Sequence, residues 1–515
     1  MGKIVIDPIT RIEGHLKIEA VVENRMVKEA KSSGTLFRGL ELILQGRDPR
    51  DAPLITQRIC GVCPISHGTA STFALDRAVG VADKITRNGR IIRNLILGAN
   101  FIQSHLLHFY HLAALDYVDL TAVADYNGND PELQRLRRFL ERGELGPFLP
   151  RYEGDYRLSR EANREAAVRY LMAFEIRRKA HELLAVFGGK APHTVGIVPG
   201  GATEVPTVDK IASFLWRLNE IRGFIDNIYI PDVLTIAKAY PDYLEIGSGC
   251  GNLLSYGGFP QDQEEGRFIW SGTTSRSLNP EELDPGKISE SVRYSWYASS
   301  KDPRHPTEGE TRPHWGKEGA YSWLKAPRYD GRVYEVGPLA RLLVNYAKGN
   351  PAVKGLVDWA LGELGLAAKP RTLFSVMGRH LARALDCKLV ADAMAKWVME
   401  LDPGGPVYTE YELPESAQGF GLVEAPRGAL GHWLSIEGKR IAHYQCVVPT
   451  TWNASPRDGK SQPGPLEQAL EGTKLRDERN PFEIVRIVRS FDPCLACAVH
   501  LVRPKGREFA RLKVL

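Results

Sequence analysis

Two pairs of cysteines are the residues best placed to do chemistry. Cys60 and Cys63 stand in Arg58 Ile59 Cys60 Gly61 Val62 Cys63 Pro64, and Cys494 and Cys497 in Asp492 Pro493 Cys494 Leu495 Ala496 Cys497. A two-residue gap turns the chain back far enough for both sulfurs to reach one metal, so the pairs together offer four thiolates. Structural zinc is the plainest occupant and needs no catalysis. Paired zinc ligands usually sit within tens of residues of each other, whereas here more than four hundred intervene. That spacing describes the closure of a whole domain, and soft thiolates also suit redox-active late transition metals.

The chain has seven cysteines in 515 residues, too sparse for a disulfide framework. Cys250 and Cys387 lack paired neighbours and are expected to be small buried apolar side chains. His105, His108 and His111 fall at helical spacing and imitate a second metal site. No acid or cysteine joins them on that face, so a buried polar seam is expected instead.

The scaffold that positions these residues has the composition of a soluble globular protein. The formal charge is +5, but Arg503, Lys505, Arg507, Arg511 and Lys513 against Glu508 put +4 of it in residues 501–515, leaving +1 for the body. With no basic stripe interleaved with aromatics, no nucleic-acid partner is expected. No stretch approaches the roughly 18 apolar residues of a membrane span, so membrane association is expected only through a partner. Met1 Gly2 Lys3 Ile4 Val5 Ile6 Asp7 also lacks the pattern of an export signal.

Alternation in Lys3 to Ile6 and Leu16 to Val22 predicts short antiparallel strands. Apolar residues at helical spacing predict one long buried helix over 83–115, and another over 159–187 with Ser159 as N-cap and Gly188 and Gly189 as its stop. Further helices are expected over about 207–225, 371–401 and 481–489. Trp433 to Ile436 and Ile441 to Val448 alternate like a hairpin. The interval 243–335, rich in Gly, Pro, Ser and Tyr, reads as an irregular or strand-bearing excursion over the core. The fold class is α+β, mostly helical, in one domain without repeats.

The sequences around both cysteine pairs, extended to Ser66 His67 on one side and Ala498 Val499 His500 on the other, resemble the paired signatures of nickel-iron hydrogenase large subunits. The resemblance also covers Arg11 Ile12 Glu13 Gly14 His15, Arg38 Gly39 Leu40 Glu41, His105 to Asp116, Pro192 to Gly201, Ala425 Pro426 Arg427 Gly428 and Tyr444 to Asn453. It implies a central helix bundle with small peripheral sheets, and a Ni-Fe centre whose iron carries carbon monoxide and cyanide. Cys60 and Cys494 would be terminal nickel ligands, with Cys63 and Cys497 bridging nickel to iron. Hydrogen would be split heterolytically, the proton passing to the Cys494 sulfur and then to Glu13. A buried carboxyl with a raised pKa suits that transfer. Without the resemblance, Glu13 reads as an exposed acid or an ion pair with Arg11.

By the same resemblance Arg427 would hang over the metals with Asp492 as its charge partner, and Thr450 would donate a hydrogen bond to cyanide. His67 would reach back towards a bridging sulfur and tune it. Ser104 stands where some relatives carry Asp, so no acid's role is transferred there. Glu41, His500 and the backbone carbonyl of Cys446 would hold magnesium, or iron.

No further cysteine cluster exists in the chain to carry electrons onward, so no iron-sulfur cluster is expected in it. The resemblance supplies an iron-sulfur small subunit, whose own signal exports the folded pair to the periplasmic face of the membrane, and beyond it a membrane cytochrome or other redox carrier. A cytoplasmic enzyme is the alternative. Metal-insertion proteins and an endopeptidase are further implied partners, with residues 1–500 forming the mature domain and 501–515 removed between His500 and Leu501. Two other readings are a structural zinc protein and a quinone-reductase subunit of related fold, although such relatives lack the four cysteines.

Overall fold

Along Leu16–Glu23, side chains alternate between buried and half-exposed, with Leu16, Ile18, Ala20 and Val22 facing inward as a period of two dictates. This strand is the centre of a three-stranded antiparallel sheet with Gly2–Ile6 and Met26–Gly34. Asn24 and Arg25, both with positive φ, make the two-residue turn that such a hairpin favours. The loop of residues 7–15 between the first two strands carries Arg11 and Glu13. The computed structural model describes residues 2–143, 146–149, 151–261 and 266–498.

Helices dominate the middle of the chain. Arg87–Leu106 runs through the core and packs on Arg160–Gly188 and on Val376–Met399, which also contacts Val208–Phe224 and Ile230–Ala239. Ser159 caps the second of these by accepting from Ala162 N at 3.1 Å, and Gly189, at φ 74°, ends it. The helix expected over 83–115 starts at Arg87, after a separate 3-10 turn at Ala82–Lys84, keeps α geometry to Leu106 and continues as a π-helix over Leu107–Ala113. Its extra residue per turn changes the facing of the histidines beyond that point.

The expected hairpin is a three-stranded meander, Ser416–Ala425, Gly428–Glu437 and Arg440–Val447. Its first strand is hard to read in the sequence because glycines interrupt the alternation. Those glycines have a packing reason: a Cβ at Gly419 or Gly421 would lie 2.0 Å from the Ala74 or Ala70 carbonyl oxygen. The strand thus seats directly against the helix Pro64–Ala78.

The 243–335 interval forms short antiparallel pairs, Asn252–Ser255 with Gly272–Ser275, Gly258–Pro260 with Arg267–Ile269, and Ile288–Ser291 with Ala326–Tyr329. It is built into the core. Leu254, Tyr256, Ile288 and Tyr329 pack with Trp433 and Trp452 in a second apolar cluster. Among the described residues no helix is long and apolar enough to cross a membrane.

Candidate metal centre

Cys60 follows a short 3-10 turn in extended conformation, and Cys63 is the N-cap of Pro64–Ala78, whose first residue is the proline that helix starts favour. The Val62 and Cys63 amides point at the Cys60 sulfur, at 3.2 and 3.4 Å. Cys494 and Cys497 arrive from the other end of the chain, the latter in the short helix Leu495–Ala498. Cys60 Sγ lies 3.3 Å from Cys494 Sγ, Cys63 Sγ 3.1 Å from Cys497 Sγ, and Cys494 Sγ 2.9 Å from Cys497 Sγ.

All four cysteines are buried and free, and their sulfurs lie within 4.8 Å of one another. These separations are well beyond a disulfide bond of about 2.05 Å. Burial pushes the Cys494 and Cys497 thiols far up, each with help from neighbouring sulfurs. Cys60 alone is drawn down: against burial, the other three thiols and the Arg427 charge favour its thiolate. A set of four sulfurs that resists joint ionisation is what a soft cation would resolve, since metal charge deprotonates coordinating thiols. The donor set therefore fits a thiolate-bound metal centre.

Glu13 meets this set through backbone pairing. A parallel bridge joins it to Cys494, its amide donating to Pro493 O at 3.3 Å and its carbonyl accepting from Leu495 N at 2.8 Å. Its Oε2 accepts from Ala496 N at 2.8 Å and lies 3.2 Å from the Cys494 thiol, which donates to it. Burial raises the Glu13 pKa, and the Cys60 charge raises it further. The approach requires Gly14, at φ 81°, where a Cβ would sit 2.7 Å from Leu495 Cβ. Arg11 does not pair with Glu13; it bonds Asp116 at 2.6 Å.

Arg427 occupies the turn between Ser416–Ala425 and Gly428–Glu437. Its Nε donates to Asp492 O at 3.0 Å, Nη2 to Asp492 Oδ1 at 2.9 Å, and Nη1 to Ser104 Oγ at 3.2 Å, all in the interior. Thr450 Oγ1 accepts from Cys494 N at 2.9 Å, which leaves the hydroxyl proton uncommitted by that bond. His67 Nδ1 lies 3.2 Å from His432 Nε2, His432 Nδ1 lies 2.8 Å from the Tyr444 hydroxyl, and Tyr444 donates to Ser71 Oγ at 2.9 Å. The imidazole is thus held across helix and meander.

Glu41 and Cys446 are brought together, the Cys446 amide donating to Glu41 Oε1 at 2.9 Å. The Thr311 hydroxyl donates to Glu41 Oε2, and Lys325 Nζ stands 3.7 Å from the same carboxylate. His500 and the junction with Leu501 lie outside the described residues. Cys387 is buried as expected, but Cys250 is only partly so, and its thiol donates to Asn252 O at 3.4 Å.

The three histidines form a buried seam, with one correction: an acid does join it. His105 Nε2 bonds Asp386 at 2.9 Å, while His108 and His111 meet the Arg489 and Tyr170 carbonyls at 2.7 and 3.3 Å. Asp386 comes from Val376–Met399, 281 residues away, beyond any local pattern. Arg38, part of a motif but without an expected role, donates through Nη2 to both Ile59 O and Ala496 O, joining the two cysteine segments.

The family described as nickel-dependent hydrogenase matches residues 38–500, and one described as HoxL-like matches residues 3–32. The chain is 45% identical to the periplasmic [NiFeSe] hydrogenase large subunit of Desulfomicrobium baculatum, covering 98% of this chain and 96% of that one. It is 37% identical to the uptake hydrogenase large subunit of Rhizobium leguminosarum bv. viciae, over 99% and 97% of the two chains. Among solved structures, the reduced Ni-Fe-Se hydrogenase from D. vulgaris Hildenborough superposes with a TM-score of 0.87 at 43% identity, covering 97% of this chain and 100% of that one. Similarity of this extent, spanning both cysteine pairs and everything between them, makes the chain a large subunit of the nickel-dependent hydrogenase family.

Proposed function

We propose that the chain is the catalytic subunit of a hydrogenase, splitting hydrogen reversibly and heterolytically at a nickel-iron centre. Cys60, Cys63, Cys494 and Cys497 would hold that centre, which when bound supplies the polarising and redox chemistry. The observation that carries this reading is the Glu13 carboxyl at 3.2 Å from one of four convergent thiols. In it, the Cys494 sulfur would accept the proton released from hydrogen, the electron pair of the broken H–H bond being taken up through the redox chemistry that the centre supplies. Glu13 Oε2 then takes that proton, the S–H bond breaking as the O–H bond forms, while the Ala496 amide keeps the carboxyl aligned. Burial of Glu13 brings its proton affinity nearer that of a thiol, which favours exchange in both directions. Arg427 presents fixed positive charge beside the sulfurs in a water-poor interior, where such charge acts strongly.

The finer assignments follow the same reading. Iron would carry carbon monoxide and cyanide, with the Thr450 hydroxyl donating to cyanide and His67 tuning a bridging sulfur. Magnesium, or iron, would be held by Glu41, the Cys446 carbonyl and His500, a set supported by the Glu41 to Cys446 contact. Electrons would leave through an iron-sulfur small subunit towards a membrane cytochrome or other carrier at the periplasmic face. Relatives include a periplasmic enzyme and the quinone-reactive Ni/Fe-hydrogenase of Wolinella succinogenes. Insertion proteins would load the metals, and an endopeptidase would remove residues 501–515 after His500, where the family match also ends.

Infrared spectroscopy with nickel and iron analysis of the purified complex tests this. Bands of metal-bound carbon monoxide and cyanide with nickel present are expected; zinc without nickel would replace the proposal with a structural role. The mass of the mature chain checks the loss of residues 501–515.

A further inference from the structure

Two non-glycine residues near the centre have left-handed backbone, Arg11 at φ 54° and Asp492 at φ 55°. Each lies two residues before a member of the Glu13 to Cys494 bridge. Such conformations persist only where surrounding contacts hold them. Asp492 is held by Arg427. Arg11 is held elsewhere: its Nη2 bonds Asp116 Oδ1 at 2.6 Å and its Nη1 donates to Leu112 O at 3.1 Å.

The same Asp116 oxygen accepts from Arg489 Nη1. Arg489 closes the helix Phe482–Ser490 that leads into Cys494, and its Nε and Nη2 also donate to Thr10 O at 3.0 and 2.9 Å. Asp116 is fully buried, and Arg486, one helical turn before Arg489, donates through Nε to its carbonyl at 3.2 Å. One carboxylate oxygen thus ties Arg11, within the loop that carries Glu13, to the helix before Cys494. It is anchored on the segment that ends the π-helix.

We propose that Asp116 is the positioning residue of the proton exit, clamping Arg11 and Arg489 so that the Glu13 carboxyl stays in contact with the Cys494 thiol. This rests on the reading of Glu13 as proton acceptor. Asp116 touches neither reacting atom. Its removal leaves the cysteine set intact but lets the two backbone segments drift, and a displacement near 1 Å at a reacting pair costs about 10²-fold in rate.

The test uses the assembled complex with its small subunit and compares Asp116→Asn, Glu13→Gln and Asp458→Asn. The last breaks a comparably buried pair, Asp458 with Arg328, that bonds neither Glu13 nor the cysteines. Expected for Asp116→Asn are full nickel content and an unchanged KM for hydrogen. Its kcat should fall roughly 10- to 100-fold, with a larger solvent deuterium isotope effect. Amide exchange should speed up over residues 10–16 and 490–496, while Asp458→Asn alters neither exchange there nor the isotope effect. Wild-type kcat and isotope effect in Asp116→Asn, with Glu13→Gln inactive, overturn the clamp; so does an equal response from Asp458→Asn. An active Glu13→Gln instead refutes the acceptor reading. Should Asp116→Asn not assemble, Arg11→Lys, which loosens one arm of the clamp, must give the same isotope signature or the proposal fails.

Discussion

The Ser104 hydroxyl accepts from Arg427 Nη1 at 3.2 Å, while the other two nitrogens of that guanidinium each donate to Asp492. All three directions of the planar fork are therefore used, and an ammonium cannot reproduce them. Arg427→Lys should keep nickel and iron yet lower hydrogen oxidation roughly 100-fold. Ser104→Ala removes a single acceptor and should cost far less. Metal analysis beside uptake rates separates the two, and an unimpaired Arg427→Lys would dismiss the arginine from the chemistry.

Glu13→Gln preserves an acceptor for Ala496 N through the amide oxygen but cannot take a proton. Turnover should drop by roughly 10²- to 10⁴-fold with metals retained. Rates near wild type would show that protons leave the Cys494 thiol by another route.

Thr450→Val keeps shape and removes the acceptor of the buried Cys494 amide. The orphaned N–H should cost about 1–3 kcal/mol, read as a lower Tm by calorimetry, whereas Thr450→Ser should restore most of it. Equal Tm for Val and Ser would mean the bond contributes nothing.

Gly14→Ala introduces a Cβ at 2.7 Å from Leu495 Cβ and imposes a left-handed backbone on alanine. The Glu13 and Cys494 segments must then separate. Activity and stability should fall together, and a fully active Gly14→Ala enzyme would show that the close approach is dispensable.

Burial keeps His105 and His111 neutral, each titrating at about 4, and Asp386 only partly offsets this for His105. Both start from about 6.5 in the unfolded chain. The folded protein binds fewer protons between those values, so their contribution is complete above about 6.5 and is lost as pH falls through the window. The loss is at most about 1.4 kcal/mol per pH unit for each histidine. His111→Phe should flatten that slope in denaturant titrations between pH 6.5 and 4. An unaltered slope would mean His111 does not titrate there.

Local chemistry makes much of the centre readable. CxxC spacing announces itself, and helix periodicity places Arg160–Gly188, Val208–Phe224 and Val376–Met399 to within a few residues. What stays hidden depends on contacts between distant residues. His432 reaches His67 across 365 positions, and Asp386 reaches His105 across 281. Neither distance leaves a trace in spacing. The π-helix is invisible because nothing in the residue types of Leu107–Ala113 separates i→i+5 from i→i+4 bonding, and Ser416–Ala425 because its glycines serve a neighbouring helix rather than their own strand.

The bridge between Glu13 and Cys494 also fixes an order of events during synthesis. The two residues are 481 positions apart, and at roughly 5–20 residues per second translation takes tens of seconds to join them. For that interval Cys60 and Cys63 exist as a half-built nest on a growing chain, waiting for a second pair whose first sulfur lies 434 positions further on. A product truncated before Cys494 has only half of the four-sulfur pocket.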